Sequence, residues 1–303
     1  MFSKNLETLT EQFIEQGRYL RSWSPKTIRT YRQGLNAFQV ALGESAESTA
    51  REPKLSLTKA HLGAFVVFLR ERGMSPGGCN CYIRSVNSFL TWLHTEEHLA
   101  ERLRVKLLRN PRQSIQPFSD VEISRLLARK PKGLMDLRAW TFVVTLLDTG
   151  CRIDELLTLE RANVDFDNLL LTVRGKGNKT RKVPISEECR KHLWTFCNKW
   201  DSGKGKQRLA FSTESGLPLA YRNAYRDFRA CFAAAGVKGP HVHPHTTRHT
   251  FSCHYIRNGG DVYRLSRLLG HTNLATTSLY LRGLGVEDMY RSQERLTPLS
   301  ARP

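Results

Sequence analysis

Hydrophobic residues in the first hundred positions recur with the spacing of helices. Three stripes repeat every three or four residues: Ile28, Tyr31, Leu35 and Phe38, then Leu62, Phe65, Val66 and Leu69, then Tyr82, Val86, Phe89, Leu90 and Leu93. Ser24-Pro25 combines a capping serine with a proline at the first helical position. Ser75-Pro76-Gly77-Gly78 is expected to break the chain between the second and third stripes. About four helices with short loops are predicted to form a small bundle.

A change of pattern separates this bundle from the rest of the chain. Residues 109–117 contain two prolines and no hydrophobic periodicity, which is typical of a linker. Ser119 then begins a capping box with Glu122, and so predicts the start of a new helix. We therefore predict a helical domain over residues 1–110, a linker over 111–118 and a second domain over 119–303.

The second domain combines helices with one pair of strands. Residues 140–147 are apolar and predict a buried helix that ends at Thr149-Gly150. Residues 169–173 and 181–185 predict two strands, and the turn between them is rich in glycine and lysine, so the pair forms a β-hairpin with a basic tip. The pattern is then helical to about Arg295. The predicted fold class is mainly α: a helical bundle followed by a mixed α+β domain with a small antiparallel sheet.

The charge of the chain favours a polyanionic partner. The 303 residues carry a formal net charge of +19, of which +7 falls on residues 1–113 and +12 on the rest. Charge spread through two folded segments indicates nucleic acid more than an anionic membrane surface, because no basic amphipathic helix with a bulky apolar face is evident. No signal peptide and no apolar run near the roughly 18 residues of a membrane span are present, so a cytoplasmic protein is expected.

Cysteine and histidine usage argues against a disulfide framework and against a metal site. The seven cysteines are odd in number and scattered, which favours reduced thiols. The close pair Cys79 and Cys81 lacks a second Cys/His pair at zinc-site spacing. Five histidines cluster between His241 and His254, but the His-Glu-X-X-His pattern is absent. We therefore expect no metal and no cofactor.

Candidate chemistry lies in short strings of the second domain. Arg152 and Glu155 belong to the string Thr-Gly-Cys-Arg-Ile-Asp-Glu-Leu-Leu, His245 and Arg248 are spaced by three, and Leu-Gly-His271 precedes Tyr280 by nine residues. Arginine offers a permanently charged fork of donors that matches phosphate oxygens. Histidine transfers protons near neutrality, and a phenol can attack phosphorus once its proton is removed. The set is typical of a site that handles phosphate.

The order, types and spacings of these residues resemble the tyrosine recombinase (integrase) family. The second half matches strongly, and the first half matches loosely the helical core-binding domain, through a Ser-Pro-X-Thr-X-X-X-Tyr start that runs from Ser24 to Tyr31 and is familiar in Xer-like recombinases and transposon integrases. One departure from the family pattern is Thr247, which directly precedes Arg248, because the family usually has a leucine at this position. The change affects packing more than chemistry.

The resemblance implies a role for each site residue. Tyr280 is the nucleophile and His245 the base that takes its proton. Arg152, Arg248 and His271 bind the non-bridging oxygens, and Glu155 supports the site structurally. Lys176 at the hairpin tip protonates the leaving oxygen. We prefer Lys176 to Lys179 for this role because its Gly-Lys-Gly setting resembles that of the family's hairpin lysine. The alternative is that the basic tip only binds phosphates of the DNA backbone.

The implied function is site-specific recombination of double-stranded DNA through a 3′-phosphotyrosyl intermediate, without ATP or metal. The resemblance further implies a tetramer on two DNA sites, linked through residues 284–303, whereas a helix folded back on its own domain is the simpler alternative for that segment. Two other functions stay open: a type IB topoisomerase-like nicking and closing enzyme, and a catalytically silent DNA-binding accessory protein. All six chemical positions are filled, which weighs against the second.

Overall fold

The computed structural model describes residues 2–45, 57–110, 116–202, 205, 207–271 and 277. The chain divides into two compact units, Met1–Gln113 and Ser114–Pro303, each with a hydrophobic core of its own. Among the described helices, none is long and apolar enough to cross a membrane.

In its described part, the first unit is a bundle of four helices. They are α1 (Phe2–Tyr19), α2 (Pro25–Ser45), α3 (Lys59–Glu71) and α4 (Pro76–Thr95). The predicted stripes face the core, where Leu35, Phe65 and Phe89 are fully buried. The expected break between the second and third stripes is present, since α3 ends at Glu71 and α4 begins at Pro76. The Ser75 hydroxyl accepts the Gly78 N–H and Pro76 occupies the first turn of α4, where no amide hydrogen is needed.

Two asparagines on α4 hold the segment that leaves the bundle. The Asn87 side chain donates to the Val105 carbonyl at 2.9 Å and accepts the Val105 N–H at 2.8 Å. Asn80 makes the same pair of bonds with Leu108, at 2.9 and 2.8 Å. The backbone N–H and carbonyl groups of Val105 and Leu108 therefore find hydrogen-bond partners within the first unit.

The second unit adds seven helices and three strands among the described residues. They are α5 (Asp120–Leu127), α6 (Gly133–Thr149), α7 (Ile153–Leu157), β1 (Val164–Asp165), β2 (Leu170–Arg174), β3 (Thr180–Pro184), α8 (Glu187–Asp201), α9 (Tyr221–Ala234), α10 (Pro244–Arg257) and α11 (Val262–Leu269). The strands form an antiparallel sheet in the order β1-β2-β3. The predicted fold class, mainly α with a small antiparallel sheet, is confirmed.

Details at the start of the second unit both agree with and differ from the sequence prediction. Ser119 and Glu122 form the expected capping box, in which the Glu122 carboxylate accepts the Ser119 N–H at 2.9 Å. Phe118, which the sequence placed at the end of the linker, is instead buried, and its N–H donates to the Thr250 hydroxyl at 2.9 Å. Burial of a large aromatic side chain is favourable. The core of the second unit therefore includes Phe118, one residue before the predicted start of the domain at Ser119.

Candidate active site

A glycine at the end of α6 positions the first arginine. Gly150 has a φ of 61°, and a Cβ there would lie 2.5 Å from the ring of Phe251, so only glycine fits. The chain turns through buried Cys151 into Arg152, which caps α7. The Arg152 N–H donates to the Glu155 carboxylate at 2.8 Å, and its guanidinium donates to the same carboxylate at 3.1 Å. Arg152 is thereby fixed at the open end of α7.

Glu155 is also held by a residue that the sequence interpretation missed. Arg181 on β3 donates to both Glu155 carboxylate oxygens, at 2.7 and 2.8 Å, and its Nε donates to the Leu268 carbonyl at 2.7 Å. Burial raises the pKa of Glu155, but the hydrogen bonds from Arg181 and Arg152 outweigh that effect, and the pKa is lowered overall. A signal existed: Arg181 lies two residues before buried Val183, on the inward face of the strand.

Arg248 joins three separate segments of the chain. It is 5% exposed on α10, a helix that starts with Pro244 in its first turn. Its guanidinium donates to the Gly150 carbonyl at 2.9 Å, to the Leu269 carbonyl at 2.6 Å and to Nε2 of His271 at 2.9 Å. The neighbouring Thr247 is fully buried, but its hydroxyl donates to the Pro244 carbonyl at 2.7 Å, so the departure from leucine leaves no unsatisfied group.

Three arginines therefore meet the C-terminal end of α11. The Leu269 carbonyl accepts from Arg248 and, at 3.4 Å, from Arg152, while the Leu268 carbonyl accepts from Arg181. The last carbonyls of a helix have no partner within it and carry partial negative charge, which suits cations. The helix end thus orients the guanidinium groups of Arg152 and Arg248, which the sequence assigned to phosphate binding.

His245 lies on the same helix as Arg248 but is exposed to solvent. Partial desolvation, followed by the positive charges of Arg248 and Arg152, lowers the pKa of its imidazole. The ring stacks on His243, with centroids 5.5 Å apart and an angle of 9° between the planes, and the His245 N–H donates to Nδ1 of His243 at 3.1 Å. A neutral imidazole can accept a proton near pH 7, which is what a general base requires.

His271 follows the left-handed Gly270 that ends α11. Its Nε2 faces Arg248, and its Nδ1 lies 2.8 Å from the hydroxyl of Thr277. Burial and then the charges of Arg248, Arg152 and Arg181 lower the pKa of His271 to about 4. The ring is therefore uncharged near neutral pH, and the positive charge beside it comes from arginines.

The other predicted site residues are placed only in part. Lys176 belongs to the short turn Lys176–Asn178 between β2 and β3, where the hairpin tip was expected, but its side chain lies outside the described structure. Tyr280 and residues 284–303 also lie outside the described residues. Within the residues that the structure describes, no group of three or more His, Cys, Asp and Glu side chains is arranged to hold a metal ion.

Comparison with known proteins finds relatives in both sequence and fold. The profile of the phage integrase family matches residues 118–284. The tyrosine recombinase XerC of Salmonella typhi is 28% identical over 274 residues, covering 87% of this chain and 88% of that protein. The crystal structure of XerA recombinase has a TM-score of 0.52 at 25% identity, covering 97% of this chain and 99% of that one. The Tn1549 transposon integrase in complex with transposon right end DNA has a TM-score of 0.73 at 19% identity, covering 95% and 99%.

The fold and the relatives define an enzyme that acts on DNA. The chain belongs to the phage integrase family, and it is a tyrosine recombinase, an enzyme of site-specific DNA recombination. The topoisomerase-like and accessory-protein alternatives are not favoured by these relatives.

Proposed function

We propose that the chain exchanges DNA strands by attack of Tyr280 on a phosphodiester. The phenol oxygen forms a bond to phosphorus, the bond from phosphorus to the 5′ oxygen breaks, and a 3′-phosphotyrosine and a free 5′-hydroxyl result. The 5′-hydroxyl of a second strand then reverses the attack. The observation that supports this proposal is the meeting of Arg152 and Arg248 at Leu269, the end of α11, in the segment of the chain that precedes Tyr280.

The proposed roles of the side chains follow from their charge and protonation. A phenol with a pKa near 10 is only about one part in a thousand ionised at pH 7, so a base is needed, and we assign neutral His245 to that role. Arg152 and Arg248 bind the non-bridging oxygens as negative charge grows; each such donor is worth roughly 3–4 kcal/mol by analogy with oxyanion holes. Lys176 gives the 5′ oxygen its proton. Glu155 orients Arg152, and His271 binds a non-bridging oxygen beside Arg248.

The proposal is tested by trapping the covalent intermediate. Binding sites are selected from a pool of random duplexes, and a selected site is rebuilt with a nick that lets the 5′ fragment diffuse away. We expect a protein–DNA band that survives denaturation, and strand exchange when two intact sites are supplied. Site binding without either product would support the accessory-protein alternative, and relaxation of supercoiled DNA without pairing of sites would support the topoisomerase-like one.

Cleavage is expected to survive excess EDTA. The charge that stabilises the transition state is assigned to Arg152, Arg248 and Lys176, which a chelator does not remove. The measurement is the yield of the trapped covalent complex with and without chelator. Loss of that yield, together with its recovery on adding zinc or magnesium, would instead make the histidines between His241 and His254 a metal site.

DNA binding is expected to require both units and to weaken steeply with salt. Both carry a positive net charge, +7 over residues 1–113 and +12 over the rest. A protein that makes 6–10 phosphate contacts loses roughly 10³–10⁵ in affinity between 50 and 200 mM salt. Residues 1–113, residues 114–303 and the full chain are compared across that range, after circular dichroism has confirmed that each fragment is folded. Full-strength binding by one fragment would refute the prediction.

We further propose that the enzyme acts as a tetramer on two DNA sites, linked through residues 284–303, in the cytoplasm. Leu284, Val286 and Met289 are interspersed there with charged residues, a sequence pattern that favours a short amphipathic helix. Element ends next to its gene would identify the enzyme as one that moves a mobile element.

Deletion of residues 284–303 is expected to preserve binding to a single site but to impair synapsis and strand exchange, because the contacts between protomers would be lost. Gel-shift titration measures binding, and recombination of two labelled sites measures exchange. If the shortened chain recombines as well as the full one, the segment only covers its own domain.

A further inference from the structure

We infer that His243 is a positioning residue for the proposed general base, because its imidazole both caps the backbone of His245 and stacks on the His245 ring. The inference rests on the proposed function in treating His245 as that base. The contacts that carry it lie at the start of α10 and on the neighbouring helix α9.

A proline makes the His245 N–H the first backbone donor of α10. The first amides of a helix have no carbonyl partner within it, and Pro244, with which α10 begins, has no N–H. The His245 N–H is the next donor, and it donates to Nδ1 of His243 at 3.1 Å. His243 is extended, with φ of −144° and ψ of 146°, as expected for a residue before proline, and this conformation suits a capping side chain. The side chain of His243 therefore fixes the backbone of His245.

The ring of His243 contacts two other aromatic rings. It stacks on His245, with centroids 5.5 Å apart and 9° between the planes. It also lies against Tyr225 on α9, with centroids 5.4 Å apart and 58° between the planes. The contact with α9 restricts the orientation of the His243 ring. That ring in turn restricts the side chain of His245, which is otherwise exposed.

The capping bond requires a neutral His243. A backbone N–H needs a lone pair to donate to, so Nδ1 of His243 is unprotonated and the hydrogen of the neutral ring lies on Nε2. Partial desolvation, followed by the charge of protonated His245 and by Arg229 on α9, lowers the pKa of His243. The phenol of Tyr225 is the further titratable group whose ring faces this imidazole. The ring is therefore neutral near pH 7, the form that can accept the bond.

A displaced His245 would matter to the reaction. A general base must lie within hydrogen-bond reach of the proton that it removes. A misplacement of about 1 Å can cost roughly 10²-fold in rate. His243 therefore acts on the reaction through the position of His245.

NMR tests the capping bond directly in the wild-type chain. The full-length protein is labelled with ¹⁵N, because a hydrogen bond between two nitrogen atoms transmits a measurable coupling from one to the other. We expect a coupling between the amide nitrogen of His245 and Nδ1 of His243 at pH 7, and we expect His243→Asn to lack it. The absence of this coupling in the wild type would overturn the inference without any further variant.

Three substitutions then separate the cap from the ring. His243→Asn keeps an acceptor at the δ position without the ring, His243→Phe keeps a ring without the acceptor, and His243→Ala removes both. Ser186→Ala is the matched control, because the Ser186 hydroxyl caps α8 in the same unit by accepting the Cys189 N–H, also at 3.1 Å. Each variant is compared with the wild type for DNA affinity and for the rate of single-turnover cleavage at saturating DNA.

We expect His243→Ala and His243→Phe to slow cleavage about tenfold, with DNA affinity almost unchanged. His243→Asn is expected to cleave within about threefold of the wild-type rate, because a capping asparagine restores the backbone bond. Ser186→Ala should cleave at the wild-type rate. The inference is overturned if His243→Ala cleaves as fast as His243→Asn, or if His243→Phe cleaves as fast as the wild type.

A second background separates positioning from stabilisation of the fold. In His245→Gln, the further change His243→Ala is expected to slow the residual cleavage no more, since the group that it positions is gone. An additional loss as large as in the wild-type background would make His243 only a stabilising residue and overturn the inference. Failure of the proposed function is distinct: wild-type cleavage by His245→Gln would refute the base and leave the coupling to Nδ1 of His243 in place.

Discussion

Replacing Tyr280 with phenylalanine is expected to reduce covalent attachment to DNA to background while leaving site binding almost unchanged. The substitution removes the oxygen that would form the bond to phosphorus, and no other group can supply the same intermediate from that position. One hydroxyl contributes little to a large electrostatic interface, so the affinity for the site is expected to stay within about twofold. Denaturing electrophoresis of the nicked substrate measures attachment, and a gel shift measures binding.

The matched control is Tyr263→Phe, a change of the same size on the exposed side of α11, where the side chain is 60% exposed. This variant is expected to form the covalent complex at the wild-type rate. If Tyr280→Phe still forms a complex that resists denaturation, the nucleophile lies elsewhere, and peptide mapping of the DNA-linked fragment would locate it.

Features set by neighbouring residues were predicted well from the sequence. The apolar run before Thr149-Gly150 is a helix, α6, and the left-handed Gly150 ends it, because glycine tolerates that conformation where Phe251 leaves no room for a Cβ. The hairpin formed by β2 and β3 lies where the sequence predicted it, and it pairs Leu171 with Val183, both fully or almost fully buried. Local patterns of this kind need no knowledge of distant residues.

Features that depend on distant residues were not predicted. β1 has two residues, Val164 and Asp165, too few to show alternation, and it exists because β2 supplies hydrogen bonds to it. The pairing of Arg181 with Glu155 spans 26 positions in the sequence, and a pattern search along the chain cannot see it.

The second large effect is expected from breaking the ion pair between Glu155 and Arg181. Their side chains are 3% and 15% exposed, so removal of one partner leaves a buried charge that has lost its main counter-charge. Such losses cost roughly 3–5 kcal/mol in the free energy of unfolding, and we expect about 3 kcal/mol for Glu155→Gln and for Arg181→Met. Hydrogen exchange of the amides in β2 and β3, followed as a function of urea, measures this cost within the second unit.

The pH dependence of stability gives an independent check on the same pair. Because the folded pKa of Glu155 is lowered, its carboxylate stabilises the fold at pH values above the unfolded pKa of about 4.3, and this contribution is lost as the pH falls through the lower folded value. The Glu155→Gln variant is expected to lack this part of the acid sensitivity. The exposed pair Arg190 and Glu187 serves as the control, since Glu187→Gln is expected to change stability very little.

The double variant Glu155→Gln, Arg181→Met separates the stability of the fold from the geometry of the site. The new amide at position 155 can still accept the Arg152 N–H, and the new thioether at position 181 leaves no buried charge. We therefore expect the double variant to lose clearly less stability than the sum of the two single losses, with a coupling of about 0.5–3 kcal/mol.

Cleavage by the double variant is not expected to recover with its stability. Without Arg181, β3 would no longer be tied to the end of α11, and the hairpin that carries Lys176 would lose that anchor. A shift of about 1 Å in a proton donor can cost roughly 10²-fold in rate. Single-turnover cleavage of the nicked substrate measures this rate. If the double variant regains stability and also cleaves at the wild-type rate, the pair only stabilises the fold and does not position the site.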